Sequence, residues 1–304
     1  MFSYEVIVCT FNGERYITEQ LASIARQAVR PDRIIISDDG STDGTLERVK
    51  AFSLNSAINI EISIRTGGRK GAEFNFLEAL RITTAPYVFF SDQDDVWLDN
   101  KVALYIKSLA EVRDPLKPLL VFSDAEVVSE NMEKIHSSFL ESEKLVPHRQ
   151  MCFRRLIFQN CIQGATIMIN KALREKFILS DRIVMHDWWL GLIAAAFGQL
   201  IFIPEPLIKY RQHYCNAIGH THYNIKHILR KLTSLRNIVF QNRRIIRQAE
   251  AFFCLYGNLL EKKEALFLQG LTTEQRFFAW QYFLFRYGIT RTTRARTLSL
   301  YLLF

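Results

Sequence analysis

The chain has 304 residues, which is enough for one large domain or for one domain with an appendage. Apolar residues make up 49% of it and charged residues 23%, which excludes an intrinsically disordered chain, and its five cysteines form no CxxC pair, which argues against a disulfide framework and a structural zinc site. The net charge of +8 is concentrated in the last third, because residues 205–304 contain 16 Lys and Arg against 5 Asp and Glu, whereas residues 1–204 contain 23 against 26.

The first hundred residues alternate short apolar runs with helical segments. The N-terminus, MFSYEVIVCTFNG, has no basic segment before a long apolar core, so we expect no secretory signal. Strands are predicted at Glu5–Thr10, Arg33–Ser37, Ile58–Arg65 and Tyr87–Ser91, and helices at Arg15–Gln27, Thr45–Phe52 and Phe74–Thr83. Strands and helices that alternate at this spacing indicate an α/β fold, with a mostly parallel, Rossmann-like central sheet flanked by helices.

The rest of the chain is mixed and then helical. Helices are predicted at Lys101–Val112, Ala172–Phe177 and Asp187–Phe197, and strands at Leu119–Ser123, Thr166–Asn170 and Leu200–Ile203. The longest apolar stretch, residues 189–203, is interrupted and falls short of the roughly 20 residues that a membrane-spanning helix needs. From residue 224 onward we predict two to four helices, so the chain divides into an α/β domain, residues 1–222, and a basic, mainly helical C-terminal region, residues 223–304.

Acidic segments follow two of the predicted strands. Asp92, Asp94 and Asp95 come directly after the fourth strand, and three carboxylates so close together are costly unless a cation or a set of donors offsets them. Oxygen ligands beside a phosphate are what Mg²⁺ or Mn²⁺ prefers, while the alternative is a solvated acidic turn that caps the next helix. After the second strand, Asp39 in DDGSTDG can accept a hydrogen bond from a nucleobase, although alone this segment is an ordinary loop.

Two further segments are candidates for contact with a nucleotide. Thr10 ends the first strand within CTFNG, and the loop GGRKGAEFN, residues 67–75, opens a helix whose N-terminus and basic residues can face phosphate. Neither GxxxxGK[ST] nor GxGxxG is present. In an open parallel sheet, ligands bind beyond the carboxyl ends of the strands, so these segments are expected to share one site.

Four motifs, in this order, resemble the family-2 glycosyltransferases, which have the GT-A fold. CTFNGERYI is similar to the family's opening strand and loop, IIISDDGSTDGT to its nucleotide-contacting stretch, FFSDQDDVW to its Asp-x-Asp metal motif, and HDWWL to the motif that carries its catalytic base. The resemblance covers about residues 4–215. SDQDDVW and the later YRQHYCN look most like a bacterial, rhamnosyltransferase-like branch that builds O-antigens, capsules and other surface polysaccharides.

This resemblance implies roles for individual residues. Asp39 reaches the base, Glu14 orders the first loop, and Asp94 ligates a divalent metal directly, with Asp95 as a helper. The residues implied to bind the nucleotide-sugar are Thr10, Asn12, Glu14, Asp39, Asn75, Asp92 and His213. Those implied to hold Mg²⁺ or Mn²⁺ are Asp92, Asp94 and His213. A lone histidine is more often structural, but Arg211 and Asn216 near His213 favour a loop that faces phosphate.

The resemblance also places the catalytic base at Asp187. The family usually has Glu-Asp there, and this chain has His186-Asp187, so the departure touches the first position only. A free Asp has a pKa of about 3.9, so burial or a late, concerted proton transfer is needed. The alternative role for Asp187 is the N-cap of the helix that follows. On the acceptor side, Gly164 lets a sugar approach closely, and Trp188 and Trp189 can stack on it, although aromatic side chains more often pack in a core.

The implied function is an inverting, metal-dependent transfer of a sugar from a dTDP- or UDP-sugar to a glycan or lipid-linked acceptor. In the basic stretch, apolar residues recur at Ile228, Leu232, Leu235 and Val239, a spacing that suits an amphipathic helix on an anionic membrane. We therefore expect a cytoplasmic protein at the inner membrane. The alternative is a solvated basic surface. Two other functions stay open: a nucleotidyltransferase, which usually has a Gly-rich basic loop after its first strand, and a non-catalytic nucleotide or anion binder. No nucleic-acid-binding module is recognised.

Overall fold

The chain divides into two compact units. The computed structural model describes residues 2–56, 58–64, 71–213, 235–273 and 277–302. The first unit consists of Met1–Glu143, Ile162–Phe177 and Met185–Gly219, and the second of Lys144–Cys161, Ile178–Val184 and His220–Phe304. Besides the C-terminal region, the second unit therefore includes two short earlier segments that the predicted boundary at residue 222 assigned to the α/β domain.

A mixed sheet forms the centre of the first unit. In the described part of the chain its strands are β1 (Tyr4–Thr10), β2 (Arg33–Asp38), β3 (Asn59–Ile64), β4 (Tyr87–Asp92), β5 (Val96–Trp97), β6 (Leu119–Ser129), β7 (Lys134–His136), β8 (Met168–Asn170) and β9 (Gln199–Gln212). Their order is β3-β2-β1-β4-β8-β6-β9-β5, with β7 paired to β6. The first four strands are mutually parallel, as predicted, whereas β8 runs antiparallel to both β4 and β6. The α/β fold class is confirmed.

The helices flank this sheet in the first unit and form most of the second. In chain order they are α1 (Ile17–Ala25), α2 (Thr45–Asn55), α3 (Ala72–Ala79), α4 (Lys101–Ser108), α5 (Phe139–Ser142), α6 (Pro147–Gln150), α7 (Phe153–Leu156), α8 (Lys171–Lys176), α9 (His186–Phe197), α10 (Leu235–Tyr256), α11 (Lys262–Thr273), α12 (Phe277–Arg286) and α13 (Arg294–Leu302). Helices α10 to α13 agree with the two to four helices predicted for the C-terminal region. None of the described helices is long and apolar enough to cross a membrane.

The core of the first unit follows from its apolar runs. All seven residues of β1 are buried, because helices cover both faces of the parallel half of the sheet. In α1, Ile17, Leu21 and Ile24 recur every three to four residues, which places them on one face of the helix, and this face belongs to the same buried cluster as Val6 and Val8 of β1.

The strand register brings three strand ends to one edge. Thr10 of β1 lies opposite Asp38 of β2, and Cys9 lies opposite Asp92 of β4. The loops that follow these strands therefore emerge side by side, at the edge where an α/β sheet binds its ligands.

Strand β9 is much longer than predicted. We expected it to end at Ile203, but it continues through Pro204 and Pro206 to Gln212. Proline cannot donate a ladder hydrogen bond, and the pairing of β6 with β9 shifts register on both sides of Asp124, opposite these prolines. The extension carries the chain as far as His213, so it decides where that side chain lies.

The second unit has an aromatic core of its own. The Phe267 ring of α11 lies 5.3 Å from the Phe283 ring of α12, and Trp280 of α12 donates a hydrogen bond to the Leu300 carbonyl of α13. Arg154 forms a partly buried ion pair with Glu264, at 2.8 Å. The predicted amphipathic residues Ile228 and Leu232 lie outside the described residues.

Candidate active site

The loop after β2 is organised by Asp38 rather than by its neighbour. The buried Asp38 carboxylate accepts hydrogen bonds from the Thr10 hydroxyl at 2.9 Å and from the backbone N–H groups of Ser41 and Gly40 at 2.8 and 3.1 Å. The Thr10 side chain is thereby held inside the protein, whereas Asp39 remains partly exposed. Of these predicted nucleoside contacts, the Asp39 carboxylate is the one open to a ligand.

Asn12 and Glu14 link the first loop to the DDGSTDG loop. The Asn12 side-chain oxygen accepts a hydrogen bond from the backbone N–H of Thr42 at 2.8 Å, and Glu14 accepts one from Gly44 at 3.1 Å. Asn12 adopts a φ of 49°, which is tolerated by asparagine better than by most residues. Through these contacts Asn12 and Glu14 connect the two loops within the protein itself.

Gln93, the middle residue of the Asp-x-Asp motif, fastens the acidic loop to the first loop. Its side-chain amide mimics a strand partner, accepting from the Phe11 N–H at 2.9 Å and donating to the Phe11 carbonyl at 3.0 Å. A Cβ on Gly13 would lie 2.1 Å from the Gln93 oxygen, so a larger residue here would displace the Gln93 side chain. Asn75 is buried and bonded through both its amide oxygen and nitrogen to Ser37, which ties α3 to β2.

The acidic cluster carries more negative charge than its surroundings neutralise. Asp94 and Asp95 are buried. Burial, and then the charges of Asp94 and Asp187, raise the pKa of Asp92 to about 7. Burial and the charges of Asp94 and Asp92 likewise raise the pKa of Asp95. One oxygen of Asp95 has no hydrogen-bond partner within the described structure.

Asp94 and His213, two of the three predicted metal ligands, are in direct contact. His213 Nε2 lies 2.7 Å from Asp94 Oδ2, and the His213 ring stacks on Tyr16 with 4.9 Å between centroids. The described residues contain no group of three or more His, Cys, Asp or Glu side chains arranged to hold a metal. A carboxylate and an imidazole beside uncompensated negative charge nevertheless fit a divalent cation that takes its other ligands from a diphosphate.

Arg211 holds the end of β9 against the acidic loop. Its guanidinium donates to the Asp94 carbonyl at 2.8 Å and to Glu130 and Glu19, and its backbone N–H donates to the Asp95 carboxylate at 3.2 Å. Its side chain is buried by these contacts. Asn216, the other residue of the expected phosphate-facing loop, lies outside the described residues.

Lys101 is a buried cation that the sequence did not single out. It donates to the Ala165 carbonyl at 3.2 Å, and its ammonium lies 4.0 Å from the centroid of the Trp97 ring. Burial lowers its pKa to about 7, an effect opposed by the charges of Asp95 and Asp92. A lysine in the first turn of a helix normally reads as a surface residue, so no local pattern could have revealed it.

Asp187 lies in the first turn of α9. The helix begins at His186 and its N-cap residue is Met185, so Asp187 is not the N-cap that we considered as its alternative role. Its carboxylate is buried, and Oδ1 accepts a hydrogen bond from the Trp188 N–H at 2.6 Å. Its charge contributes to raising the pKa of Asp92, so the predicted base and the acidic cluster lie within electrostatic reach of each other.

His186 and Gln163 place unpartnered polar groups beside Asp187. Both ring nitrogens of His186 and both amide atoms of Gln163 are buried without a hydrogen-bond partner in the described structure. Burial lowers the pKa of His186 to about 3, so the ring is neutral at neutral pH. A Cβ on Gly164 would lie 2.5 Å from His186 Nε2 and 3.5 Å from Asp187 Oδ2. The close approach that requires glycine here is therefore made by His186.

The two tryptophans of the HDWWL motif are both buried. Trp189 is 0% exposed and belongs to the core, so its ring has no face open to the predicted stacking on an acceptor sugar. Trp188 is 7% exposed and lies next to Asp187. The more common role of aromatic side chains, core packing, describes Trp189.

The sequence profile described as Glycosyl transferase family 2 matches residues 5–175, more than half of the chain. The chain belongs to this family. It is therefore a glycosyltransferase, which sets aside the nucleotidyltransferase and the non-catalytic binder. It is 31% identical over 244 residues to a dTDP-rhamnosyl transferase, RfbG, of Shigella flexneri, and the match covers 76% of this chain and 79% of the relative.

Solved structures of glycosyltransferases share the fold. Residues 1–349 of TarS from S. aureus match with a TM-score of 0.58 at 16% identity, over 98% of this chain and 79% of that one. The mannosyltransferase PcManGT from Pyrobaculum calidifontis, solved with GDP-Man and Mn²⁺, matches with a TM-score of 0.53 at 16% identity, over 91% of this chain and 71% of that one. The predicted GT-A-type fold is thus confirmed.

Proposed function

We propose that this glycosyltransferase moves a sugar, with rhamnose the first to test, from a dTDP- or UDP-sugar to a hydroxyl of a glycan or lipid-linked acceptor. The proposed reaction inverts the anomeric carbon and belongs to the synthesis of bacterial surface polysaccharide. One observation carries the proposal: His213 Nε2 lies 2.7 Å from Asp94 Oδ2 in the buried acidic loop, a pair of ligands that suits a divalent cation bound to a diphosphate. The name of the Shigella relative supports the choice of dTDP-rhamnose.

The donor is proposed to bind across the first two loops. Asp39 is a partly exposed carboxylate there and is proposed to accept a hydrogen bond from the base. Asn12 and Glu14 hold the two loops together, and Gln93 holds the first loop to the acidic loop, so the nucleotide site is assembled before the donor arrives.

Asp94 and His213 are proposed to hold the divalent cation, with Asp92 beside them. When bound, Mg²⁺ or Mn²⁺ supplies Lewis-acid stabilisation of the charge on the leaving diphosphate. The raised pKa of Asp92 supports this assignment, because an uncompensated carboxylate gains most from a nearby cation. The Mn²⁺ in the PcManGT structure supports the choice of metal.

Asp187 is proposed to act as the general base. As the acceptor oxygen attacks the anomeric carbon, its proton passes to Asp187 and the bond between the sugar and the diphosphate breaks. The Trp188 N–H holds Oδ1, and the carboxylate is buried in the first turn of α9. The side chains of Gln163 and of the neutral His186 can each donate and accept a hydrogen bond, as recognition of sugar hydroxyls requires. Gln163 precedes Gly164 in the sequence, and the His186 ring lies against Gly164.

The test is release of nucleoside diphosphate from a panel of dTDP- and UDP-sugars, with Mn²⁺ and with EDTA. We expect metal-dependent release with one donor and acceptor. Asp187→Asn should still bind donor, seen as a thermal shift, but should lose transfer by at least about 100-fold. Asp94→Ala should lose the metal-dependent shift. The proposal fails if no donor binds to folded protein, or if Asp187→Asn transfers at the wild-type rate; the first-formed anomer, read by NMR, tests inversion.

We also propose that the basic C-terminal region contacts the cytoplasmic face of the inner membrane. The charge of +11 over residues 205–304 supports it, as do lipid-linked acceptors, which are found at that surface.

A further inference from the structure

The second unit exposes more large apolar side chains than the first. Of the 14 such side chains that are exposed in the described part of the chain, four lie in the first unit and ten in the second. Scattered single exposed apolar residues are normal, but a concentration in one unit marks a surface that is covered by something else.

Helix α12 is apolar on two faces. One face carries Trp280 and Phe283, which are buried against α11 and α13. The other carries Phe278, Tyr282 and Phe285, which are 81%, 63% and 77% exposed. These three rings are spaced by four and three residues, so they form one stripe along the helix. A helix in water normally presents polar residues on its exposed face.

The segment that contains this stripe and the following helix carries charge of one sign. Residues 277–302 contain four arginines and no Asp or Glu. Arg286 and Arg294 are exposed, whereas Arg291 is bonded inside the unit to the Phe158 carbonyl and to Asn242. A second copy of the chain would bring a second segment of the same charge to this surface. An anionic surface with an apolar interior complements both the charge and the rings.

We propose that α12 docks on the surface of an anionic phospholipid bilayer. Phe278, Tyr282 and Phe285 enter the boundary between headgroups and acyl chains, while Arg286 and Arg294 face the lipid phosphates. The inference rests on the proposed membrane contact and assigns it to α12 instead of the stretch around residues 228–239. Helix α12 has 10 residues, about 15 Å, whereas the hydrocarbon core of a bilayer is about 30 Å thick, so the proposed position is on the membrane surface.

The test uses the full chain and sedimentation with vesicles. We expect binding to vesicles of phosphatidylglycerol and phosphatidylethanolamine, little binding to phosphatidylcholine alone, and weaker binding at high salt. Phe278→Ser/Tyr282→Ser/Phe285→Ser should lower partitioning by at least about ten-fold. Arg286→Gln/Arg294→Gln should lower it by about five-fold for each arginine and leave the aromatic stripe intact.

Leu54→Ser/Leu116→Ser is the matched control, because these side chains are 88% and 86% exposed but lie in the first unit. It should bind vesicles like the wild type. Nucleoside diphosphate release without lipid should be unchanged in every variant, which separates failure of docking from failure of the proposed reaction. The proposal is overturned if the triple variant and the arginine pair both bind vesicles normally, or if the triple variant changes oligomeric state instead.

Discussion

Replacing Gly164 by alanine tests the placement of His186, and the size of the effect follows from the geometry. The added Cβ would lie 2.5 Å from Nε2 and 2.7 Å from Cε1 of the His186 ring. Nonbonded atoms of this kind prefer ~3.5 Å, so the ring or the loop has to move by about 1 Å. The ring lies against Phe76 and Phe90, at 4.3 and 5.7 Å between centroids, and packing on these sides resists its movement.

Gly164→Ala should therefore lower both stability and rate. Overpacking of this size costs about 1–3 kcal/mol of unfolding free energy, read from urea unfolding. Because Asp187 follows His186 directly, the shift also moves the proposed base, and a displacement of about 1 Å costs on the order of 100-fold in kcat. The KM for the donor should change little, because the residues proposed to bind the base lie on the loops after β1 and β2.

The double variant Gly164→Ala/His186→Ala supplies the control. Removing the ring removes the obstruction, so alanine at position 164 should cost much less in the His186→Ala background than in the wild type. The double-mutant cycle should give a coupling energy of about 1–3 kcal/mol. Strictly additive effects, or a Gly164→Ala protein with wild-type stability and kcat, would refute the contact between Gly164 and His186.

Three further predictions concern the acidic loop. Because the pKa of Asp92 is raised to about 7, the metal-free protein should lose stability relative to Asp92→Asn as pH rises from about 4 to 7, as measured by urea unfolding. The apparent Kd for Mn²⁺, measured by calorimetric titration, should increase as pH falls below about 7. Flat pH profiles in both measurements would contradict the raised pKa. Gln93→Leu should lower the free energy of unfolding in urea by up to about 2 kcal/mol and raise the KM for the donor, because both hydrogen bonds to Phe11 are lost. An unchanged KM would show that this link does not shape the donor site. Lys101→Met should move the pH midpoint of Mn²⁺ binding upward, because it removes a positive charge that lowers the pKa of Asp92. Lys101→Arg keeps a positive charge and should move the midpoint less. Equal midpoints in both variants and the wild type would exclude an effect of Lys101 on Asp92.

Local pattern was enough for the parallel half of the sheet. Strands β1, β2 and β4 differ from their predicted bounds by a single residue at one end. Their apolar runs are short, rich in β-branched or aromatic residues and followed by polar turn residues, which together favour a strand over a helix. Pattern failed at β9, where Pro204 and Pro206 predict an end. Whether a strand survives two prolines depends on its partner, and the shifted register with β6 is a non-local property that no window of sequence contains.

The site divides in the same way. The acidic strand ends could be found from residue type and position, since like charges after a buried strand need an explanation. The supporting residues could not be, because their roles depend on distant partners. Arg211 has the residue type of a phosphate ligand but is buried against Asp94 and Glu130. His186 has the type of an acid or base, yet burial between aromatic rings keeps it neutral.

The acidic loop needs a ligand to neutralise it, although two buried cations lie next to it. Lys101 donates its hydrogen bond to the Ala165 carbonyl, and Arg211 directs its guanidinium to the Asp94 carbonyl, Glu130 and Glu19. Both hold backbone in place. Burial, and then the charges of Asp94 and Asp187, still raise the pKa of Asp92, although the charge of Lys101 opposes them. A divalent cation binds better when that carboxylate is ionised, and a diphosphate binds better when the cation is present. Cation and donor should therefore bind with positive cooperativity, each increasing the affinity for the other by the same factor.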